Sequence, residues 1–99
     1  MSYRFHQAAR QDFFAGLRWY SAAASPEIAS QFYKNVEATI EEIEENPRLY
    51  REVHRRVRGA LLRGFPYCLF YVIESESILI LAVAHSKRRP GYWATRLED

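Results

Sequence analysis

Residues 61–93, LLRGFPYCLFYVIESESILILAVAHSKRRPGYW, decide the fold of this chain. Within them, residues 67–74 are rich in aromatic and β-branched side chains, which suit a pleated, half-buried surface. Glu74-Ser75-Glu76-Ser77 is a polar turn. Residues 78–85 are almost continuously apolar, as expected of a central strand covered on both faces. Upstream, residues 57–65 read as a further strand. Downstream, residues 90–97 read as a short terminal helix or an extended tail.

Working outward towards the N-terminus, residues 48–56 form a basic connector with room for a short strand. Before it the hydrophobic period changes from two to that of a helix. Ala29, Phe32, Val36, Ile40 and Ile43 recur at helical spacing, with Glu37, Glu41, Glu42, Glu44 and Glu45 on the remaining face. Ser25-Pro26-Glu27 starts this helix. The serine can cap free N–H groups, proline suits the first helical position, and glutamate favours the positive end of the dipole. Pro47 disfavours helix at Asn46 and ends it there. An earlier amphipathic helix over residues 7–23 carries Phe13, Leu17, Tyr20 and Ala24 on one stripe. The short link between the two predicts an antiparallel helical hairpin. Residues 2–6 alternate aromatic and polar side chains, the pattern of a short strand. The predicted order is β-α-α-β-β-β, an α+β fold with the helical hairpin packed on one face of a mostly antiparallel sheet. One domain over residues 1–99 is expected from the length.

Composition narrows the function classes. With 48% hydrophobic and 26% charged residues, the chain is an ordinary globular protein with a small core, to which a bound partner would add stability. The single cysteine, Cys68, permits no intramolecular disulfide and sits in an apolar run, where a thiol is usually a small buried hydrophobe. His6, His54 and His85 are far apart in sequence and have no zinc-ligand spacing, so no metal or cofactor is expected. No apolar signal region opens the chain and no run is long enough to span a membrane, so a cytoplasmic location is expected. Net charge is only +2 but unevenly spread. Glutamates crowd residues 27–45, arginines crowd residues 48–63, and Lys87, Arg88, Arg89 and Arg96 follow. A basic surface of this kind favours polyanions, whether RNA, DNA or acidic protein segments.

Local motifs add a resemblance. They begin with Ala8-Ala9-x-x-Asp12-Phe13, the Trp19-Tyr20 pair and Glu45-Asn46-Pro47-Arg48-Leu49-Tyr50. Leu61-Leu62-Arg63-x-Phe65-Pro66-Tyr67 and Phe70-Tyr71-x-Ile73 follow. The last is Leu81-Ala82-Val83-Ala84-His85-x-x-Arg88-x-Pro90-x-Tyr92-Trp93. In this order, over nearly the whole chain, they resemble the ParE/RelE toxin superfamily, and the ending is more similar to its ParE-type branch. The resemblance implies a bacterial toxin neutralised by a cognate antitoxin, whose C-terminal segment folds across the helices and sheet edge. It also implies one of two targets: DNA gyrase for ParE-type proteins, or mRNA in the ribosomal A site for RelE-type endonucleases. A toxin-fold protein that only binds antitoxin is a third reading.

Each target asks something different of the residues. Metal-independent RNA cleavage needs a base for the 2′-hydroxyl, charge stabilisation at phosphorus and an acid for the leaving oxygen. The candidates are His85 as acid or base, Arg63 and Arg58 for phosphate, Lys87 and Arg88 for charge, and Tyr92 to stack on a base. Against these roles, His85 reads more readily as a strand-end histidine bonded to backbone. Tyr92 and Trp93 read more readily as packing the terminal segment onto the sheet. RelE-like nucleases typically carry an arginine after Gly-Tyr or Pro-Tyr, whereas here Pro66-Tyr67 is followed by Cys68. A thiol cannot bind phosphate as a guanidinium does, so the ParE-like reading leads. For the antitoxin, Trp19, Tyr20, Tyr33 and Phe14 are expected as surplus apolar groups. Arg55, Arg56 and Arg58 are a basic run that could dock an acidic antitoxin segment, face nucleic acid or gyrase, or simply be solvated.

Overall fold

The computed structural model describes residues 1–98, so residue 99 of the expected domain lies outside the described residues. Strand β1 (Ser2–Phe5) leads into helix α1 (Gln7–Ala23) and helix α2 (Pro26–Glu45). Strands β2 (Glu52–His54), β3 (Val57–Leu61), β4 (Tyr67–Glu74) and β5 (Ser77–His85) follow, and a 3₁₀ turn (Ala94–Glu98) comes last. The five strands form one sheet in the order β1-β5-β4-β3-β2, antiparallel except for the β1–β5 pair.

The expected α+β architecture is present, with two differences. The basic connector contains a fifth strand, β2, which the order β-α-α-β-β-β omits. The connector that carries it is held by side chains from β3 and β4. The Arg58 guanidinium donates to the carbonyls of Arg48 and Tyr50 and pairs with Glu52, and the Tyr71 hydroxyl donates to Pro47 O at 2.6 Å. The strand expected over residues 57–65 stops at Leu61. Gly64 takes φ +78°, a turn conformation that breaks the extended run, and Phe65 then swings onto Tyr20 and Phe32.

The helical hairpin forms as its capping residues dictate. Ser25 Oγ accepts the N–H of Ile28 at 3.1 Å, and the Asn46 N–H closes α2 on Glu42 O. The buried stripe of α2 is Ala29, Phe32, Val36, Thr39, Ile40 and Ile43. Phe32 is the centre of the core between hairpin and sheet, with Tyr67 at 4.8 Å and Tyr20 at 5.2 Å between ring centroids. Gly16 permits this approach, because a Cβ there would lie 2.8 Å from the Phe32 ring.

A second, smaller core lies on the sheet face turned away from the helices. It joins Val57, Val72, Leu79, Leu81, Ala82 and Trp93, with Phe70, Tyr92 and Leu97 packed around them. A bulge produces part of it. Phe70 faces Ala82 and Tyr71 faces Ile80, so Leu81 is the extra residue and both Leu81 and Ala82 join this cluster. β5 is therefore covered on both faces: by helices on one, and by the C-terminal segment on the other.

Candidate functional site

The C-terminal half of β5 is where chemistry-bearing residues converge. β1 ends opposite Ile80, so from there on the outer edge of β5 has no strand beside it. Two side chains take over part of that edge. Asp12 of α1 accepts the Val83 N–H at 3.1 Å, and Arg96 donates to Leu81 O at 3.0 Å. These two also pair with each other at 2.7 Å, their side chains 9% and 14% exposed, and the Tyr92 hydroxyl donates to the same carboxylate. Burial, and then the nearby Asp12 charge, push the Tyr92 phenol above its ordinary range. Tyr92 also lies beneath the Arg88 guanidinium, 3.8 Å from its ring centroid. The knot pins the terminal segment to α1 and β5.

Two open grooves flank this knot. The sheet groove, of about 940 Å³, lies on the face away from the helices. Gly59, Cys68 and Phe70 form its middle, Leu61 and Val53 one side, and Trp93 and Arg89 the other. Trp93 stacks on Phe70 at 4.6 Å and meets His54 edge-on at 5.9 Å. Burial pushes the Cys68 thiol up to about 11. The edge groove, of about 910 Å³, runs between α1 and the open part of β5, with Asp12, Ala15, Trp19, Val83 and Lys87 along it. His85 and Arg88 border both.

The structure distributes the sequence candidates as follows. His85, Arg88 and Tyr92 share the sheet groove, and Lys87 faces the edge groove. His85 Nδ1 accepts the N–H of Lys87 at 3.0 Å, which leaves Nε2 as the protonated nitrogen of the neutral ring. Arg63 is exposed in the β3–β4 turn and pairs with Glu42 at 3.5 Å instead of joining them. Arg58 points to the connector, where its guanidinium donates to the carbonyls named above. Arg55 and Arg56 are exposed at the β2–β3 turn. Among the surplus apolar groups, Trp19 is 61% exposed, Phe14 47% and Tyr33 44%. Tyr20 is instead core, packed against Phe32, Phe65 and Tyr67, because it lies on the Phe13–Gly16 stripe of α1. Phe14 and Tyr33 both stack on Phe13 on one flank of the hairpin, while Trp19 stands over the edge groove on the other.

Asp12, Arg96, His54 and Leu61 were not foreseen as site-forming residues. Asp12 stood in a quoted motif, but nothing in its spacing showed that it meets a residue 84 positions away. Among the described residues, no three His, Cys, Asp or Glu side chains come together as a metal site would require, and no helix is long and apolar enough to cross a membrane.

A match to the family described as ParE toxin of type II toxin-antitoxin system, parDE, spans residues 3–90. The chain belongs to the ParE toxin family. A solved structure described as the chromosomal ParDE TA system from P. aeruginosa is similar to this ParE-family chain, with a TM-score of 0.78 and 18% sequence identity. The alignment covers 88% of this chain and 97% of that one, so the two share the fold along nearly their full length. No curated protein sequence matches the chain significantly.

Proposed function

We propose that this ParE-family toxin acts in the cytoplasm by binding DNA gyrase, without cleaving RNA, and that a cognate antitoxin neutralises it. The observation that carries the choice of binding over cleavage is the middle of the sheet groove. Gly59, Cys68 and Phe70 form it, and none of the three can carry the positive charge that would stabilise a phosphorane. Of the arginines expected to hold phosphate, Arg58 is turned to backbone carbonyls and Arg63 stands away from the groove, beside Glu42. For the antitoxin, the exposed Phe14, Tyr33 and Trp19 supply apolar anchors on the hairpin, and the edge groove leaves room for an extended segment beside β5. A supercoiling assay with trapping of cleaved DNA tests the gyrase reading. The purified chain should inhibit supercoiling, and unchanged gyrase activity at a tenfold molar excess would defeat it.

A RelE-like endonuclease is the second reading, favoured by His85, Arg88 and Tyr92 sharing one groove. Primer extension on translating ribosomes would then show A-site cuts that His85→Ala abolishes. Absence of cuts in the wild type removes this reading.

A further inference from the structure

The molecule carries free apolar surface on two opposite sides. One is the helical side, with Phe14, Tyr33 and Trp19. The other is the mouth of the sheet groove, where Leu61 is 78% and Val53 50% exposed. A single-domain toxin that must meet both an antitoxin and a target has two such tasks.

We propose that the sheet groove is the target-engaging surface, and that its occupant is an acidic protein segment carrying a bulky apolar side chain. This rests on the toxin reading above. The charge of the groove fits such a partner. Arg51, Arg88 and Arg89 stand along it, and no aspartate or glutamate does. Among the described residues, none of these three arginines is paired with a carboxylate. Charge-assisted hydrogen bonds to incoming carboxylates are therefore available at the rim, while Leu61 and Val53 offer exposed aliphatic surface to an apolar side chain. A nucleic acid strand fits less well. The exposed large hydrophobic groups at the mouth are aliphatic, and the Trp93 ring that could stack on a base is already covered by Phe70 and edged by His54. The middle of the groove also lacks the cationic track that a sugar–phosphate chain follows.

The test is growth arrest on induced expression of the full chain in bacteria. Its variants are Leu61→Asp, Leu61→Lys and the pair Arg51→Glu/Arg89→Glu, all at exposed positions, with the exposed Glu41→Lys of α2 as the helical-side control. Circular dichroism and melting temperature should match wild type throughout. Leu61→Asp and the double arginine variant should raise survival at least a hundredfold. Leu61→Lys should raise it at least tenfold less than Leu61→Asp, because a cation still suits an acidic occupant. The helical-side control should remain as toxic as wild type. If wild type arrests growth and the groove variants do so equally, the groove is not the target surface. Equal effects of Asp and Lys at position 61 would mean that the occupant is not acidic. Arrest accompanied by transcript cleavage that the groove variants abolish would make the occupant RNA. A wild-type dimer that these variants dissociate would make it a second copy. Any of these overturns the proposal. A wild type that never slows growth would defeat the toxin reading first, and this inference with it.

Discussion

Asp12 is the residue on which most of the tertiary structure around the site depends. Its carboxylate accepts four hydrogen bonds, from the Val83 N–H, the Tyr92 hydroxyl and two Arg96 nitrogens. Replacing it with alanine leaves the little-exposed Arg96 guanidinium without its counter-charge, a change that typically costs about 3–5 kcal/mol. Asp12→Ala should lower unfolding stability by about 3 kcal/mol in urea denaturation, and Asp12→Asn by less, since the amide still accepts a hydrogen bond. Cys68 illustrates the opposite case, a polar atom silenced by its surroundings. Its folded value of about 11 lies above the ordinary 9.0, so the fold favours the neutral thiol. The sign follows: this contribution to stability is fully present below pH 9 and is lost as pH rises through about 11. At pH 8 the native chain should hold roughly a hundredfold less thiolate than the unfolded chain, and alkylation by iodoacetamide should be slower by a similar factor. Native and urea-unfolded samples alkylated side by side would check this.

Among elements, the helical hairpin and the β4–β5 pair show how local signals and close packing divide the work. The cap at Ser25 and the break at Pro47 are local, and the helix appears between them as those residues require. The approach of α1 to α2 is not local, since it depends on Gly16 facing Phe32 across the hairpin. Helix propensity alone says that Gly16→Ala should stabilise α1 by up to about 1 kcal/mol. The added methyl would sit 2.8 Å from a fully buried ring, and overpacking of that kind costs about 1–3 kcal/mol. Gly16→Ala should therefore lower the melting temperature, and a rise would show that Phe32 can move aside. In the sheet, the apolar run of β5 was legible as a buried strand. Its bulge was not, because an extra residue is defined only against its partner strand.

For the whole molecule, the decisive feature is that the two faces of one sheet are covered by different means. The hairpin supplies a continuous helical layer, while a terminal segment with little regular structure covers the other face through Trp93, Tyr92 and Leu97. Deleting residues 91–99 should expose Val57, Val72 and Leu81 and remove one wall of the sheet groove. The shortened chain should bind the hydrophobic dye ANS and melt well below the full chain. A sharp, unshifted transition without dye binding would show that this segment does not close the second core.

The α+β class, the hairpin, the three longer strands and the family resemblance could all be read from the sequence. Each rests on periodicity, capping or short motifs that act within a few residues of one another. Arg63 and Arg58 looked like phosphate ligands for the same local reason, being arginines near a sheet. Where they stand is a tertiary matter: Arg63 is on the exposed β3–β4 turn beside Glu42, and Arg58 is turned to the connector carbonyls. The opening run also looks different in the folded protein. Residues 61–93 determined two strands by themselves. Whether their ends form a groove, and with what charge, depended on Asp12, Val53 and Arg51 arriving from elsewhere in the chain. Backbone pattern is a short-range property of sequence, whereas a site is a juxtaposition of distant residues that only packing produces.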